Sequence, residues 1–199
     1  MQDFSFDGKG TMNGGEYSTI IIDGIAECTG DLKAEHLDID GIFKCAGAVD
    51  AGIVECDGVA EFGAGVSAKK VIADGVVKLK RLEADEIDCD GYIKAEGEVS
   101  ADTMQVDGCI HAKEIVGDNI DINSRSGKIS GFLTRKTSAI DLIEATTVRL
   151  RGVTAQTVSG KDITIGPHCK IKTVDCSGTL SIDKKAKVEN ITGEYTIIE

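Results

Sequence analysis

The sequence predicts an all-β fold, a single-stranded parallel β-helix with triangular coils of about 17 residues. Three observations predict it. Asp-Gly recurs at Asp23, Asp40, Asp57, Asp74, Asp90 and Asp107, at intervals of 17, 17, 17, 16 and 17 residues. Apolar residues stand at fixed offsets from every one of those pairs. The interior they imply has little aromatic bulk, since the 199 residues include 24 glycines, no tryptophan and 4% aromatics. A fixed period of this length is the mark of a solenoid.

Residues 1–17 hold Phe4, Phe6 and Met12 among glycine and polar residues and are expected to form a flexible segment ahead of the coils. From 18 to 124 the coils are regular. Three residues before each Asp stand Ile20, Leu37, Val54, Val71, Ile87 and Met104, and one before it Ile22, Ile39, Cys56, Ala73, Cys89 and Val106. Three after it stand Ala26, Phe43, Ala60, Val77, Ile93 and Ile110; two further on come Cys28, Cys45, Phe62, Leu79, Ala95 and Ala112. A fifth column runs from Leu32 and Val49 to Ile115. Alternate residues share one face of a strand, so each unit offers three short strands with their apolar members on one side. Helical spacing does not fit these columns.

The corners are Asp23-Gly24, Asp40-Gly41, Asp57-Gly58, Asp74-Gly75, Asp90-Gly91 and Asp107-Gly108. Glycine is expected there to supply positive φ, and Asp to accept hydrogen bonds from nearby backbone N–H groups. Coils stacked at roughly 4.8 Å place like residues on like, and no coil buries its inner face alone. Leu37, Phe43 and Val49, six residues apart, also fit the hexapeptide pattern of left-handed β-helices, but the 16-residue step near Lys80 breaks that register. The strong preference for right-handed crossovers between parallel strands favours a right-handed coil.

Residues 125–143, RSGKISGFLTRKTSAIDLI, contain no Asp-Gly and gather Arg125, Lys128, Arg135 and Lys136 around Phe132 and Leu133. An irregular interruption of the solenoid is expected, either an exposed insertion or a distorted coil. It is also the expected docking site for a partner, because loops carry function more often than the scaffold that holds them. Coils of the same solenoid resume over 144–199, with Val148/Leu150, Ile163/Ile165 and Leu180/Ile182 in one column. The last residues place Val188, Ile191, Tyr195, Ile197 and Ile198 in a terminal coil whose final strand is an open edge. Self-association by strand addition is expected there, with a plain capping strand as the alternative.

Composition narrows the function classes. The net charge is −12, and residues 1–117 carry 24 of the 34 acidic side chains but 10 of the 22 basic ones. An acidic chain without interleaved basic and aromatic residues is a poor match for phosphate backbones, so no nucleic acid partner is expected. The opening MQDFSFDGKG lacks the basic and apolar regions of a secretory signal, and no apolar run approaches ~20 residues. A cytoplasmic protein is expected, meeting the membrane only through partners. Seven cysteines without a CxxC pair read as buried, reduced thiols rather than a zinc site. Cys28 and Cys45 share a column and are expected as neighbouring thiols rather than a disulfide.

The recurring Asp invites a calcium reading, but the Gly-Gly-x-Gly-x-Asp signature of calcium β-rolls is absent. His36, His111 and His168 lie far apart, and His168 follows Pro167 at an expected corner with no second catalytic partner. FGAGVSA lacks the setting of a phosphate loop. No catalytic residue, cofactor or metal is therefore expected. The competing reading is a β-helix enzyme or ligand-binding protein acting on carbohydrate or acyl substrates along its outer face.

The Asp-Gly coils over 18–124, together with LRGVTAQTVSGKDITIGPHCKIKTVDC at 150–176, resemble the bactofilins, polymer-forming cytoskeletal proteins of bacteria. Within that family the chain resembles the longer bactofilin-like proteins of Gram-positive bacteria, some of which also interrupt the coils with a basic, apolar segment. The resemblance implies a right-handed β-helix with no nucleotide and no catalytic residues. It also implies head-to-head or tail-to-tail assembly into filaments, and a role in cell shape or as a scaffold for envelope enzymes. Expected partners are further copies of the chain and envelope-associated proteins. The chain departs from the family pattern in its greater number of coils and its single proline, where typical bactofilins carry disordered, often proline-rich tails.

Overall fold

The computed structural model describes residues 2–124 and 137–198. They form strands without any helix, all paired in parallel as a β-solenoid of about 11 turns. The first strands are β1 (Gln2–Phe6), β2 (Lys9–Met12), β3 (Gly15–Ile22), β4 (Ile25–Cys28), β5 (Leu32–Ile39), β6 (Ile42–Cys45) and β7 (Val49–Cys56). Next come β8 (Val59–Phe62), β9 (Gly65–Ala73), β10 (Val76–Leu79), β11 (Arg81–Cys89), β12 (Tyr92–Ala95) and β13 (Glu98–Val106). The remainder are β14 (Cys109–Asn123), β15 (Ser138–Arg151), β16 (Val153–Ile165), β17 (Lys170–Ile182), β18 (Lys187–Thr192) and β19 (Thr196–Ile197). At roughly 4.8 Å per turn the rod is roughly 50 Å long.

Each regular turn has three faces but only two strands. A short strand such as β4 covers one face, and a long one such as β5 covers the other two, bending near Glu35 without breaking its ladder. From β14 to β17 a single strand runs round all three faces, and the last coil is again divided, into β18 and β19. The bend is possible because the residue inside it is small. Ala34, Ala51, Ala68, Ala84 and Ala101 stack on one another, and Gly117, Ala145 and Gly160 continue the column. This is a sixth inward column beyond the five legible from the aliphatic residues. Elsewhere bulk in one coil is offset by smallness in the next: Phe43, fully buried, stacks between Ala26 and Ala60 and meets Phe62 edge-on at 6.2 Å.

The Asp-Gly pairs lie at one corner, but their glycines do not take positive φ; among the described residues that belongs to Gly15, Gly152, Gly193 and His168. Close stacking is what excludes a side chain. A Cβ on Gly41 would overlap the Gly24 carbonyl oxygen, one on Gly58 that of Gly41, and the same holds up to Gly108 over Gly91. Those carbonyls accept the next coil's N–H, as Ile42 N to Gly24 O at 2.8 Å and Val59 N to Gly41 O at 2.9 Å. Asp40 N and Gly41 N both donate to Ile22 O, so the corner is held by backbone rather than by the Asp carboxylate.

Two expected boundaries move. Residues 2–12, expected as part of a flexible segment, form β1 and β2 and pair with β3 and β4 as a coil of their own, with Asp7-Gly8 as one more corner. Within the expected interruption at 125–143, Ser138–Ile143 already belong to β15, where Ala139–Ile143 pair with β14 and Ser138 with β16. The 16-residue step near Lys80 is absorbed between Leu79 and Leu82, so Leu82 still stacks on Val66 and the columns survive.

Candidate assembly surfaces

The two ends of the rod differ. At the C-terminal end, Val188, Ile191 and Ile197 stack on Ile171, Val174 and Leu180, which are buried interior residues. They continue the interior ladder by one coil, and among the described residues no strand pairs beyond them. Ile191 is 40% exposed and Ile197 70%. Tyr195 and Ile198 are exposed beside them, while Val188 is half-buried against the core. All five residues singled out in the sequence thus gather on one end.

At the N-terminal end the interior is roofed by aromatic rings. Phe4 lies 5.7 Å from Phe6 and 5.8 Å from Tyr17, centroid to centroid, and all three pack against the core. The Phe6 ring covers Gly10, where a Cβ would collide with it. β1 and β2 have partners on one side only, so a backbone edge remains open there too.

Along the flank the corner carboxylates form an acidic ridge. Burial raises the Asp74 pKa above the usual carboxylate value, and Asp57, Asp90 and Asp88 add to the shift. Asp23 is raised likewise by desolvation, then by its hydrogen bond to Asp7 and the charge of Asp40. The ridge ends where Asn123 donates to Asp107 at 2.6 Å. Among the described residues no three His, Cys, Asp or Glu side chains form a metal-holding group.

An open groove of 680 Å³ crosses several coils and is bordered by Glu16, Lys33, Asp50, Arg81 and Glu83. Its lining contains neither His nor Cys, and Lys33 is already engaged with Asp50 at 2.8 Å. His168 is exposed at the corner between β16 and β17, with a φ of 66°, a left-handed conformation that His tolerates better than most residues.

All seven cysteines are buried. Cys28 and Cys45 stack in register, and both thiols donate to Gly30 O, at 3.4 and 3.5 Å. Burial and the neighbouring Cys28 push the Cys45 thiol up to about 12. Burial likewise takes Cys89 to about 12 and Cys56 to about 11.

The docking residues expected in the interruption, Arg125, Lys128, Phe132, Leu133, Arg135 and Lys136, lie outside the described residues. Its two ends are described and are pinned together. Ser138, fully buried, bonds Ser124 Oγ at 2.5 Å and accepts from Ile110 N at 3.0 Å. His111 Nε2 donates to Thr137 O at 3.1 Å, which leaves Nδ1 to accept from the Tyr92 hydroxyl at 3.2 Å when the ring is neutral. No sequence periodicity marked this staple, because Ser138 takes an inward position that every regular coil fills with an apolar residue.

No family model and no solved structure matches the chain. A stretch of 52 residues is 42% identical to a protein of Bacillus subtilis (strain 168) whose name reads "Uncharacterized protein YhbE". The match covers 26% of this chain and 22% of that protein, so the chain spans about a fifth of the relative's length.

Proposed function

We propose that this chain is a non-enzymatic structural protein, a bactofilin-like scaffold subunit that joins further copies through its coil ends. In this reading it works in the cytoplasm, organises cell shape or the envelope, and reaches the membrane through envelope-associated partners. Among the described residues no helix is long and apolar enough to cross a membrane. The observation that carries the reading is the bare interior ladder at Ile191 and Ile197. Apolar side chains aligned with a buried core, beside an unpaired strand edge, gain both burial and backbone hydrogen bonds when another strand is added. The aromatic roof makes the N-terminal end the weaker contact.

The test is Ile191→Lys with Ile197→Lys, compared with the parent protein by light scattering over a concentration series. The double variant is expected to lose association while keeping its melting transition, since both residues lie on the exposed last coil. Unchanged association in the folded double variant would remove the C-terminal end from the reading.

A further inference from the structure

The short strands β4, β6, β8, β10 and β12 make one face of the rod, and its outward positions form two columns. Ile25, Ile42, Val59, Val76 and Tyr92 stack in the first. Ile25 and Ile42 are each 40% exposed and the others half-buried. Glu27, Lys44, Glu61 and Lys78 stack in the second, all exposed and alternating in sign over β4 to β10, and Lys94 follows Lys78 on β12. Within the chain Lys44 Nζ stands 3.5 Å from Glu61 Oε2.

This charge order is self-complementary in one arrangement. A two-fold axis parallel to the strands, passing between β6 and β8, reverses the coil order of a second copy and keeps each column over its counterpart. Glu27 then faces the partner's Lys78, and Lys44 faces the partner's Glu61. Ile25 lies over the partner's Val76, and Ile42 over the partner's Val59. A two-fold axis along the rod instead sets the apolar column against the charged one. We infer that this face is a lateral docking surface for a second copy of this chain, packed antiparallel.

The contact is small. Four coils at ~4.8 Å and four residues at ~3.3 Å give a footprint of roughly 250 Å², well below the ~800 Å² per partner of a stable complex. The Asp ridge beside the face opposes the pairing further, because the same symmetry brings the two ridges to one side. The face therefore acts between rods that present many copies of it together, where linked weak contacts add. It rests on the proposed end-to-end assembly, though not on which end residues carry it.

Mixed-chain cross-linking tests it. Ile42→Cys and Val59→Cys are made in separate full-length chains, mixed and mildly oxidised; the native thiols are buried, which keeps the background low. The expected result is a disulfide dimer from the mixture, well above the yield of either chain alone. Equal dimer from Ile42→Cys alone, or none from the mixture, overturns the inference.

Charge reversal adds a second reading. Lys44→Glu in both chains is expected to lower the yield about fivefold, the scale of one to two exposed ion pairs. Pairing an Ile42→Cys/Lys44→Glu chain with a Val59→Cys/Glu61→Lys chain is expected to restore it, although each chain keeps its own internal defect. Failure of that restoration, with both chains folded, contradicts the charge pairing.

Discussion

At each Asp-Gly corner the glycine is held to its identity by the carbonyl oxygen one turn away. Gly58→Ala drives a methyl into Gly41 O and should cost about 3 kcal/mol, the upper range for overpacking a tight site. A methyl on Gly8 would meet nothing within 4 Å, so this position serves as the internal control: Gly8→Ala should leave the urea midpoint unchanged. The positions of these glycines were legible from spacing, yet the expected reason, positive φ, was not the operative one. A period reveals that a corner recurs, not which atom of the neighbouring coil sits over it.

The Asp beside each glycine has a pH consequence. A carboxyl whose pKa is raised in the fold binds its proton more tightly there than in the unfolded chain. Its contribution to stability is therefore greatest at low pH and is lost as pH rises through the raised value. Asp23, Asp38 and Asp74 are all raised, while Asp162 is lowered, chiefly by its bond from the Thr179 hydroxyl, and works in the opposite sense. The melting temperature should rise as pH falls from neutral through the raised values of these carboxyls. Asp74→Asn should raise it at neutral pH by roughly 1–3 °C and flatten the dependence; Asn123 shows that an amide fits beside this ridge. Among the thiols, Cys45 and Cys89, buried and pushed up to about 12, should resist alkylation in the native protein and react on unfolding.

At the scale of the strand and the coil, the five aliphatic columns were legible because Ile, Leu and Val alternate with polar residues at a period of two. The alanine column was not, because Ala sits as readily on a surface as in a core. It is nonetheless what lets β5, β7, β9, β11 and β13 pass a corner as single strands. Ala68→Leu should destabilise by about 1–3 kcal/mol in urea unfolding, through overpacking at the bend. The first coil was hidden for a different reason. Asp7-Gly8 stands 16 residues before Asp23-Gly24, in step with the repeat, but the residues around it put Phe and Gly where later coils have small aliphatics. Those aromatics serve as a roof, which a repeat pattern built on interior coils does not anticipate.

Across the described solenoid, stability is shared between neighbouring coils, and its first and last described coils each pair on one side only. The N-terminal end is finished by Phe4, Phe6 and Tyr17, and the C-terminal end displays Ile191, Tyr195, Ile197 and Ile198. Phe4, Phe6 and the C-terminal residues could be named from sequence, but Tyr17 and the opposite roles of the two ends could not, because aromatic rings folded over a coil and isoleucines left bare on one are equally apolar in composition. The proposed scaffold follows from that asymmetry, and its central claim is self-association of the unmodified chain. The most direct measurement is the sedimentation mass of tag-free protein across a wide concentration range, with the same samples imaged by negative-stain electron microscopy. Mass that grows with concentration and rods longer than a single solenoid are expected. A strict monomer at every concentration and ionic strength would contradict it.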